Sequence, residues 1–385
     1  MAASGCESSD YRLAWSVRAG RVGEFVTHAD QVLTIGSRVA AYDAATGRAR
    51  GATALSADLG NITRGQLGPG AMVSGDSLIF GWYDFNTETG TVFCFDAKSL
   101  EQRWRWQIHW PWTQRSLRPT ISVIADEQHV YAAASGKDRE NLFAFRLADG
   151  RLIWSRSVEK YPAEAALALH RERLLVRSQL WAWTRDWHEQ IDAIRVEDGQ
   201  RLWRTWLTGE AKYHVGRPLI HDDHLYVTTR GGVDAGNLFV VRLSDGHTTR
   251  VEIPASGAPF ARRGNVVYIG GWPALAYDVV RQQPVWRTRL GYPDEALVPM
   301  IAGGTLDPDR NRVFVGDSQQ FVYALAADTG VVQDRIRVDR YPRFEFFSPL
   351  KAMYGSYGVR RLEMHRGMLF VGTVDSSLFV FRSHR

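Results

Sequence analysis

The chain has 385 residues, of which 45% are hydrophobic and 23% are charged, a composition typical of a globular protein. Its formal net charge is only +5 and its Lys and Arg residues are scattered, which argues against nucleic-acid binding, since such binders concentrate basic charge on one stripe. No stretch approaches the ~18 consecutive apolar residues of a membrane helix, so no transmembrane segment is predicted.

The first ten residues are small and polar, and we predict a disordered tail there. The sequence ASGC at residues 3–6 resembles the end of a bacterial lipoprotein signal, but the hydrophobic region that should precede it is absent. Two locations therefore stay open: a soluble cytoplasmic protein, or a periplasmic lipoprotein anchored through Cys6 after removal of a signal peptide. With Cys94 as the second cysteine, in an apolar run and predicted to be buried, no disulfide framework or CxxC metal site is expected.

From residue 11 onward one pattern recurs: two strand-type runs joined by a polar turn, a loop, a third run, and a turn of the Asp-x-x-Thr/Asp-Gly type. The clearest copies carry a Trp four residues after the Gly, as in Gly150 with Trp154 and Gly199 with Trp203. Glycine suits such a turn because it tolerates positive φ. This turn position recurs about every 48 residues, at Gly47, Leu100, Gly150, Gly199, Gly246, Gln282 and Gly330.

A period of this length with strand-type content is typical of propeller blades. Eight polar turns, one before each second run, predict eight blades whose strands we name A to D in chain order. The eighth unit ends after its third strand, and residues 11–17 supply the missing one. We therefore predict an all-β fold, an eight-bladed β-propeller of four-stranded antiparallel blades. It would form one monomeric domain over residues 11–385, closed by the N-terminal strand completing the last blade.

The turn glycine and its Trp resemble the tryptophan-docking repeats of the quinoprotein dehydrogenase propellers, which consist of pyrroloquinoline-quinone-type repeats. The sequences AWSV at residues 14–17, VL at 32–33 and YD at 42–43 are most similar to shorter relatives, such as the periplasmic propeller subunit of the outer-membrane β-barrel assembly machinery. The resemblance implies the propeller fold. The quinone-dependent enzymes carry adjacent cysteines that stack on the cofactor, and no Cys-Cys pair occurs here, so a quinone cofactor is not expected.

The B–C loops and the D–A connections between blades should share one face with the central channel mouth. They carry the unusual residues, and aromatic and Arg side chains dominate binding hot spots. The two arginines before A-strand prolines, Arg118 and Arg217, would suit an anionic ligand. An alternative is that the rings pack on one another and the arginines pair with loop carboxylates. The candidate ligand-binding residues are Trp82, Tyr83, Trp110, Trp112, Arg115, Arg118, Trp181, Trp183, Trp187, Arg217, Trp272 and Tyr341.

Two functions remain open from the sequence. The favoured one is a non-catalytic binding or scaffold propeller whose aromatic and Arg-rich loop face binds a protein partner or an anionic, aromatic-stacking small molecule. The alternative is an enzyme with an active site at the channel mouth, acting on an anionic or sugar-like substrate. Its candidate acids and bases are His109, His188, Tyr213 and His214. No metal-ligand pattern is legible, so no metal is predicted.

Overall fold

The structure is a computed structural model that describes residues 10–18, 24–55, 65–68, 70–109, 120–134, 141–158, 161–180, 188–207, 213–214, 218–230, 235–290, 303–317, 321–338, 359–373 and 377–383. Within these ranges the chain forms 34 strands, β1 to β34, in eight antiparallel sheets. The predicted all-β, eight-bladed β-propeller is confirmed. No helix in the described ranges is long and apolar enough to cross a membrane.

One compact unit comprises residues 19–231 and 237–252. Blade 1 contains β2 (Glu24–His28), β3 (Gln31–Ile35), β4 (Arg38–Asp43) and β5 (Ala49–Ala54). Blade 2 contains β6 (Gly65–Leu67), β7 (Met72–Ser74), β8 (Ser77–Asp84), β9 (Thr89–Asp96) and β10 (Gln102–His109). Blade 3 contains β11 (Ile121–Ala125), β12 (His129–Ala134), β13 (Leu142–Arg146) and β14 (Leu152–Arg156).

Two further blades follow in chain order. Blade 4 contains β15 (Tyr161–His170), β16 (Arg173–Leu180), β17 (His188–Arg195) and β18 (Arg201–Leu207). Blade 5 contains β19 (Tyr213–His214), β20 (Leu219–His221), β21 (His224–Arg230), β22 (Gly236–Arg242) and β23 (Thr248–Ile253). In blades 2 and 5 the A strand is split into two short pieces, β6 with β7 and β19 with β20, and both pieces pair with the same B strand.

The other compact unit comprises residues 1–18, 232–236 and 253–385. Blade 6 contains β24 (Ser256–Arg263), β25 (Val266–Trp272), β26 (Ala274–Asp278) and β27 (Gln283–Thr288). Blade 7 contains β28 (Gly303–Asp307), β29 (Arg312–Gly316), β30 (Phe321–Ala326) and β31 (Val332–Arg337). Blade 8 contains β32 (Val359–His365), β33 (Met368–Thr373), β34 (Ser377–Ser383) and β1 (Tyr11–Arg18).

The N-terminal strand completes the last blade, as predicted. β1 pairs antiparallel with β34, and Trp15 lies opposite Val380 in the register. The Asp10 amide donates to Asp334 Oδ2 of blade 7, and Asp10 accepts an ion pair from Arg312 at 2.9 Å. The sequence before β1 is therefore tied to the unit that contains the end of the chain.

The B and C strands are the two inner strands of each blade, and their residues are mostly buried on both faces of the sheet. All eight residues of β8 are buried, although Ser77 and Asp84 at its ends are polar. Cys94 in β9 is fully buried, as predicted, and burial raises the pKa of its thiol to about 11. The central strands thus read as continuous apolar runs rather than alternating ones.

All seven predicted turn positions adopt positive φ, between 54° and 77°. The set includes Leu100 and Gln282, where the sequence departs from glycine. A residue with a Cβ atom is strained in this conformation, so the backbone geometry of the C–D turn is imposed by the blade even where glycine is missing.

Each docking tryptophan lies against the C–D turn of the next blade rather than that of its own. Its indole Nε1 donates to a main-chain carbonyl there, at 2.7–3.1 Å, in the pairs Trp104–Leu147, Trp154–Val196, Trp203–Leu243 and Trp286–Ala327. The ring also covers the turn glycine. A Cβ added at Gly150, Gly199, Gly246 or Gly330 would lie 2.6–2.8 Å from the ring. Glycine is needed here both for φ and for space.

Blades 1 and 2 meet by an inverted version of this contact. The turn position of blade 2 is Leu100, and the docking position of blade 1, four residues after Gly47, is Gly51. A Cβ at Gly51 would lie 3.7 Å from the Leu100 Cδ1 atom, and Leu100 is buried. The large side chain has moved from the docking strand to the turn.

Candidate binding surface

The strand register shows which connections leave a blade together. In blade 2, Asp84 at the end of β8 and His109 at the end of β10 both lie opposite Thr89 at the start of β9. The B–C connection and the segment that follows the D strand therefore share one end of the blade, which we call the loop end. The A–B and C–D turns occupy the opposite end, the turn end.

Blades 4 and 5 repeat this arrangement. In blade 4, Leu180 pairs with His188 and Glu189 pairs with Leu207, so residues 181–187 join two strands at the loop end, where β18 also ends. In blade 5, Tyr213 pairs with Arg230 at the end of β21. Since successive blades repeat one strand order, the loop ends of this unit lie on one side of it.

Several predicted site residues lie in strands rather than in loops. His188 is the first residue of β17, Tyr213 and His214 form β19, and Trp272 is the last residue of β25. His109 is the last residue of β10, and its side chain is exposed at the loop end of blade 2. The backbone of His188 and that of Tyr213 each lie at the loop end of their own blade.

Trp82 and Tyr83, predicted as ligand-binding residues, are instead buried within β8, each with 1% of its surface exposed. Trp82 packs in the apolar cluster that also contains Phe80, while Tyr83 lies edge-on to Phe85 with ring centroids 5.3 Å apart. Burial raises the pKa of the Tyr83 hydroxyl. These two rings pack in the core, because β8 extends through the aromatic run that the sequence suggested was a loop.

The remaining predicted site residues fall outside the described residues. They are Trp110, Trp112, Arg115, Arg118, Trp181, Trp183, Trp187, Arg217 and Tyr341. The strands that lead into their segments fix where those segments begin: residue 110 follows β10, and residue 181 follows β16, both at a loop end.

Blade 4 also contains a buried ion pair that sequence reasoning missed. Arg177 Nε of β16 donates to Glu189 Oε1 of β17 at 2.7 Å, and both side chains are almost fully buried. The pair lies beside the 181–187 connection, since Arg177 precedes it by four residues and Glu189 follows it by two. Removing one partner from such a pair leaves an uncompensated buried charge. Losing either residue should therefore destabilise the two strand ends that flank residues 181–187.

A family comparison decides the identity of the repeat. The family model described as outer membrane protein assembly factor BamB matches residues 8–179 and 187–345. This chain belongs to the BamB family. The two matched ranges leave out residues 180–186, which include Trp181 and Trp183. No curated protein matches the chain.

Solved structures share the BamB-family fold over nearly the whole chain. BamB from Moraxella catarrhalis is 14% identical with a TM-score of 0.66, and the match covers 97% of this chain and 99% of that one. The quinohemoprotein alcohol dehydrogenase ADHIIG from Pseudomonas putida HK5 is 13% identical with a TM-score of 0.65, covering 97% and 76%. The C-terminal WD40 domain of Sif2 is 9% identical with a TM-score of 0.64, covering 97% and 98%. At these identities the likeness concerns the fold alone, which hosts several functions.

Proposed function

We propose that this BamB-family protein is a non-catalytic scaffold in outer membrane protein assembly that binds a protein partner through the loop ends of blades 2 to 5. The observation that carries the proposal is that the two ends of these blades have different sets of aromatic residues. At the turn end, Trp104, Trp154 and Trp203 are used for docking each blade to the next. The second set of aromatic residues belongs to the sequence segments that begin at the loop ends, after β10 and after β16.

The composition of the loop-end segments supports a protein interface. The segment that follows β10 contains Trp110, Trp112, Arg115 and Arg118 within nine residues. Tryptophan and arginine are the residue types most enriched among interface hot spots, because they combine large apolar area with directed hydrogen bonds. The 181–187 segment adds three further tryptophans. A partner that recognises this BamB-family member would therefore contact aromatic side chains first.

Site-specific photocrosslinking in cells tests the proposal directly. The full chain carries a benzoylphenylalanine at Trp112 or at Trp183, and matched control variants carry it at Leu152 or at Val331, which are exposed near C–D turns. We expect the two loop-end positions to crosslink to a component of the outer membrane protein assembly machinery and the two controls to give no such product. Crosslinks from the controls alone would refute the proposed surface.

The enzyme alternative predicts a different result. An enzyme acting on an anionic or sugar-like substrate would retain or turn over a small molecule, and changing Arg118 and Arg217 to Gln would remove it. A scaffold would instead lose the crosslinked partner in the same variant. Native mass spectrometry of the purified full chain detects a retained small molecule, and crosslinking in cells detects the partner. The two measurements, before and after the substitutions, separate the two outcomes.

A further inference from the structure

The C strand of blade 4 carries a charge where the other repeats carry an apolar side chain. The position lies seven residues before the turn position and is buried in every blade that has the turn. Its occupants are Ala40, Phe93, Phe143, Asp192, Phe239, Leu275 and Tyr323. Asp192 has 1% of its surface exposed. A buried carboxylate at a position otherwise used for packing needs compensation from its surroundings.

The facing residue on the neighbouring blade has changed as well. Between blades 2 and 3, the ring two residues after the docking Trp104 is Trp106, and it packs on Phe143 with centroids 4.7 Å apart. Between blades 3 and 4, the equivalent residues are Arg156 and Asp192. An aromatic pair that fills the gap between blades is thus replaced by a guanidinium group and a short carboxylate.

The replacement leaves a cleft of about 360 Å³ between blades 3 and 4, both within one compact unit. This volume is at the lower end of the range of small-molecule sites, roughly 300–1,000 Å³. The charged and amide side chains that line it are Arg156, Asp192, Gln200, Arg201 and Arg204.

The carboxylate in the cleft is already neutralised. Arg204 binds Asp192 through two hydrogen bonds, from Nε to Oδ1 at 2.7 Å and from its terminal nitrogen to Oδ2 at 3.1 Å. Gln190 Nε2 adds a third hydrogen bond to Oδ2 at 3.0 Å. A bidentate Arg–carboxylate pair of this kind is rigid and strong. The Arg204–Asp192 pair is therefore held in place and has no net charge.

Two guanidinium groups remain in excess over that pair. Arg201 Nε lies 3.9 Å from Asp192 Oδ1, within ion-pair distance but beyond hydrogen-bond distance, and about half of the Arg201 side chain is exposed. Arg156 donates to the main-chain carbonyls of Ser155 and Asp198, at 2.8 and 2.6 Å, which orient its guanidinium, and its charge also helps to lower the pKa of the Asp198 carboxyl. The lining thus has three arginines and one carboxylate.

We propose that this cleft binds the phosphoryl group of a small phosphate ester. Arg156 and Arg201 would donate to the phosphoryl oxygens, and the Arg204–Asp192 pair would line the cleft beside them. Arginine suits this role because its planar group of donors matches the geometry of phosphate oxygens. The remaining volume accommodates the organic part of the ester. The proposed phosphate site does not depend on the proposed scaffold function.

Isothermal titration calorimetry of the full chain at constant ionic strength tests this site. The probes are glycerol 3-phosphate and inorganic phosphate, with glycerol and chloride as references. We expect saturable binding of glycerol 3-phosphate with one ligand per chain, at least as tight as that of inorganic phosphate. Changing both Arg156 and Arg201 to Gln should raise Kd by about tenfold or more, since two charge-assisted hydrogen bonds are lost.

The matched control is Arg146→Gln, which removes a half-exposed arginine of blade 3 that pairs with Asp149 away from the cleft. The control should bind like the wild type, and circular dichroism should confirm that all variants remain folded. The proposal is overturned if glycerol 3-phosphate gives no more heat than glycerol, if only inorganic phosphate binds, or if the double variant retains wild-type affinity.

Discussion

The contacts between blades 2 and 3 and between blades 3 and 4 are alike at the docking tryptophan and different two residues further along the same strand. Both contain a docking tryptophan over a turn glycine, Trp104 on Gly150 and Trp154 on Gly199. Beyond the docking contact, the first pair of blades is filled by Trp106 and the second is opened by Arg156. The repeat therefore fixes the spacing of its blades at the turns and leaves the neighbouring positions free to acquire a site.

The largest expected effect concerns the docking contact itself. Trp104→Ala and Trp154→Ala should each lower the free energy of unfolding by about 3–5 kcal/mol, because each removes a large buried ring and its hydrogen bond. Trp206→Ala in blade 4, where the ring is 41% exposed, is the control and should cost less than about 1 kcal/mol. Urea unfolding measures all three. A loss at Trp104 without one at Trp154 would show that the cleft has weakened docking between blades 3 and 4.

The second prediction closes the cleft. Asp192→Ala should cost about 3 kcal/mol, since it leaves the guanidinium of Arg204 without its carboxylate. The double variant Asp192→Phe with Arg204→Gln restores the apolar side chain used at this position in blade 3 and should recover most of the loss. Thermal unfolding measures both variants. If the double variant is no more stable than Asp192→Ala, the cleft is not simply a packing position converted to a polar one.

Much of the fold could be predicted because it depends on short-range geometry. The turn positions, the eight blades and the pairing of the first strand with the last all follow from a period and from residues that tolerate positive φ. Even Leu100 and Gln282 keep the expected conformation, since their neighbours in the repeat impose it. The docking partner of each Trp was not predictable in the same way, because it lies on the following repeat, about 40 residues away in the sequence.

The sites were harder to predict for a different physical reason. Trp82 and Tyr83 suggested a surface loop, but a strand buried on both faces contains the same residue types as an aromatic binding loop. The cleft residues left a usable signal, since Asp192 replaces an apolar residue at one fixed distance from the turn. Reading that signal requires the repeats to be aligned position by position, and charge alone does not separate Arg156 from the many surface arginines.

A smaller effect is expected at the turns, and its sign should differ between two of them. Gln282 is exposed and has φ of 54°, so Gln282→Gly should raise the stability by about 1 kcal/mol through relief of backbone strain. Gly150→Ala should lower it, because φ is 71° and the Trp104 ring occupies the space of the new Cβ. Differential scanning calorimetry of both variants checks the signs. A destabilised Gln282→Gly would mean that the glutamine side chain makes contacts that outweigh the strain.

The smallest effect separates the turns of blades 3 and 4 by pH and salt. The main cause that lowers the pKa of Asp149 to about 2 is the hydrogen bond from the Arg146 guanidinium. The main cause that lowers the pKa of Asp198 is the hydrogen bond from the main-chain N–H of Gln200. Because both carboxyl pKa values are depressed in the folded state, each carboxylate stabilises the protein above its unfolded pKa. That contribution is lost as the pH falls, for Asp149 between about pH 4 and pH 2.

Melting temperatures of the wild type, Asp149→Asn and Asp198→Asn across this acid range measure the two contributions. The advantage of the wild type over either variant should disappear at the acid end of the range. Salt should reduce the advantage over Asp149→Asn more than that over Asp198→Asn, since the Arg146 ion pair is the main partner of Asp149, whereas Asp198 has a main-chain hydrogen bond from Gln200 ahead of its ion pair with Arg195. Equal salt sensitivity would show that the Asp198 carboxylate is held chiefly by the neighbouring arginines rather than by the main-chain N–H of Gln200.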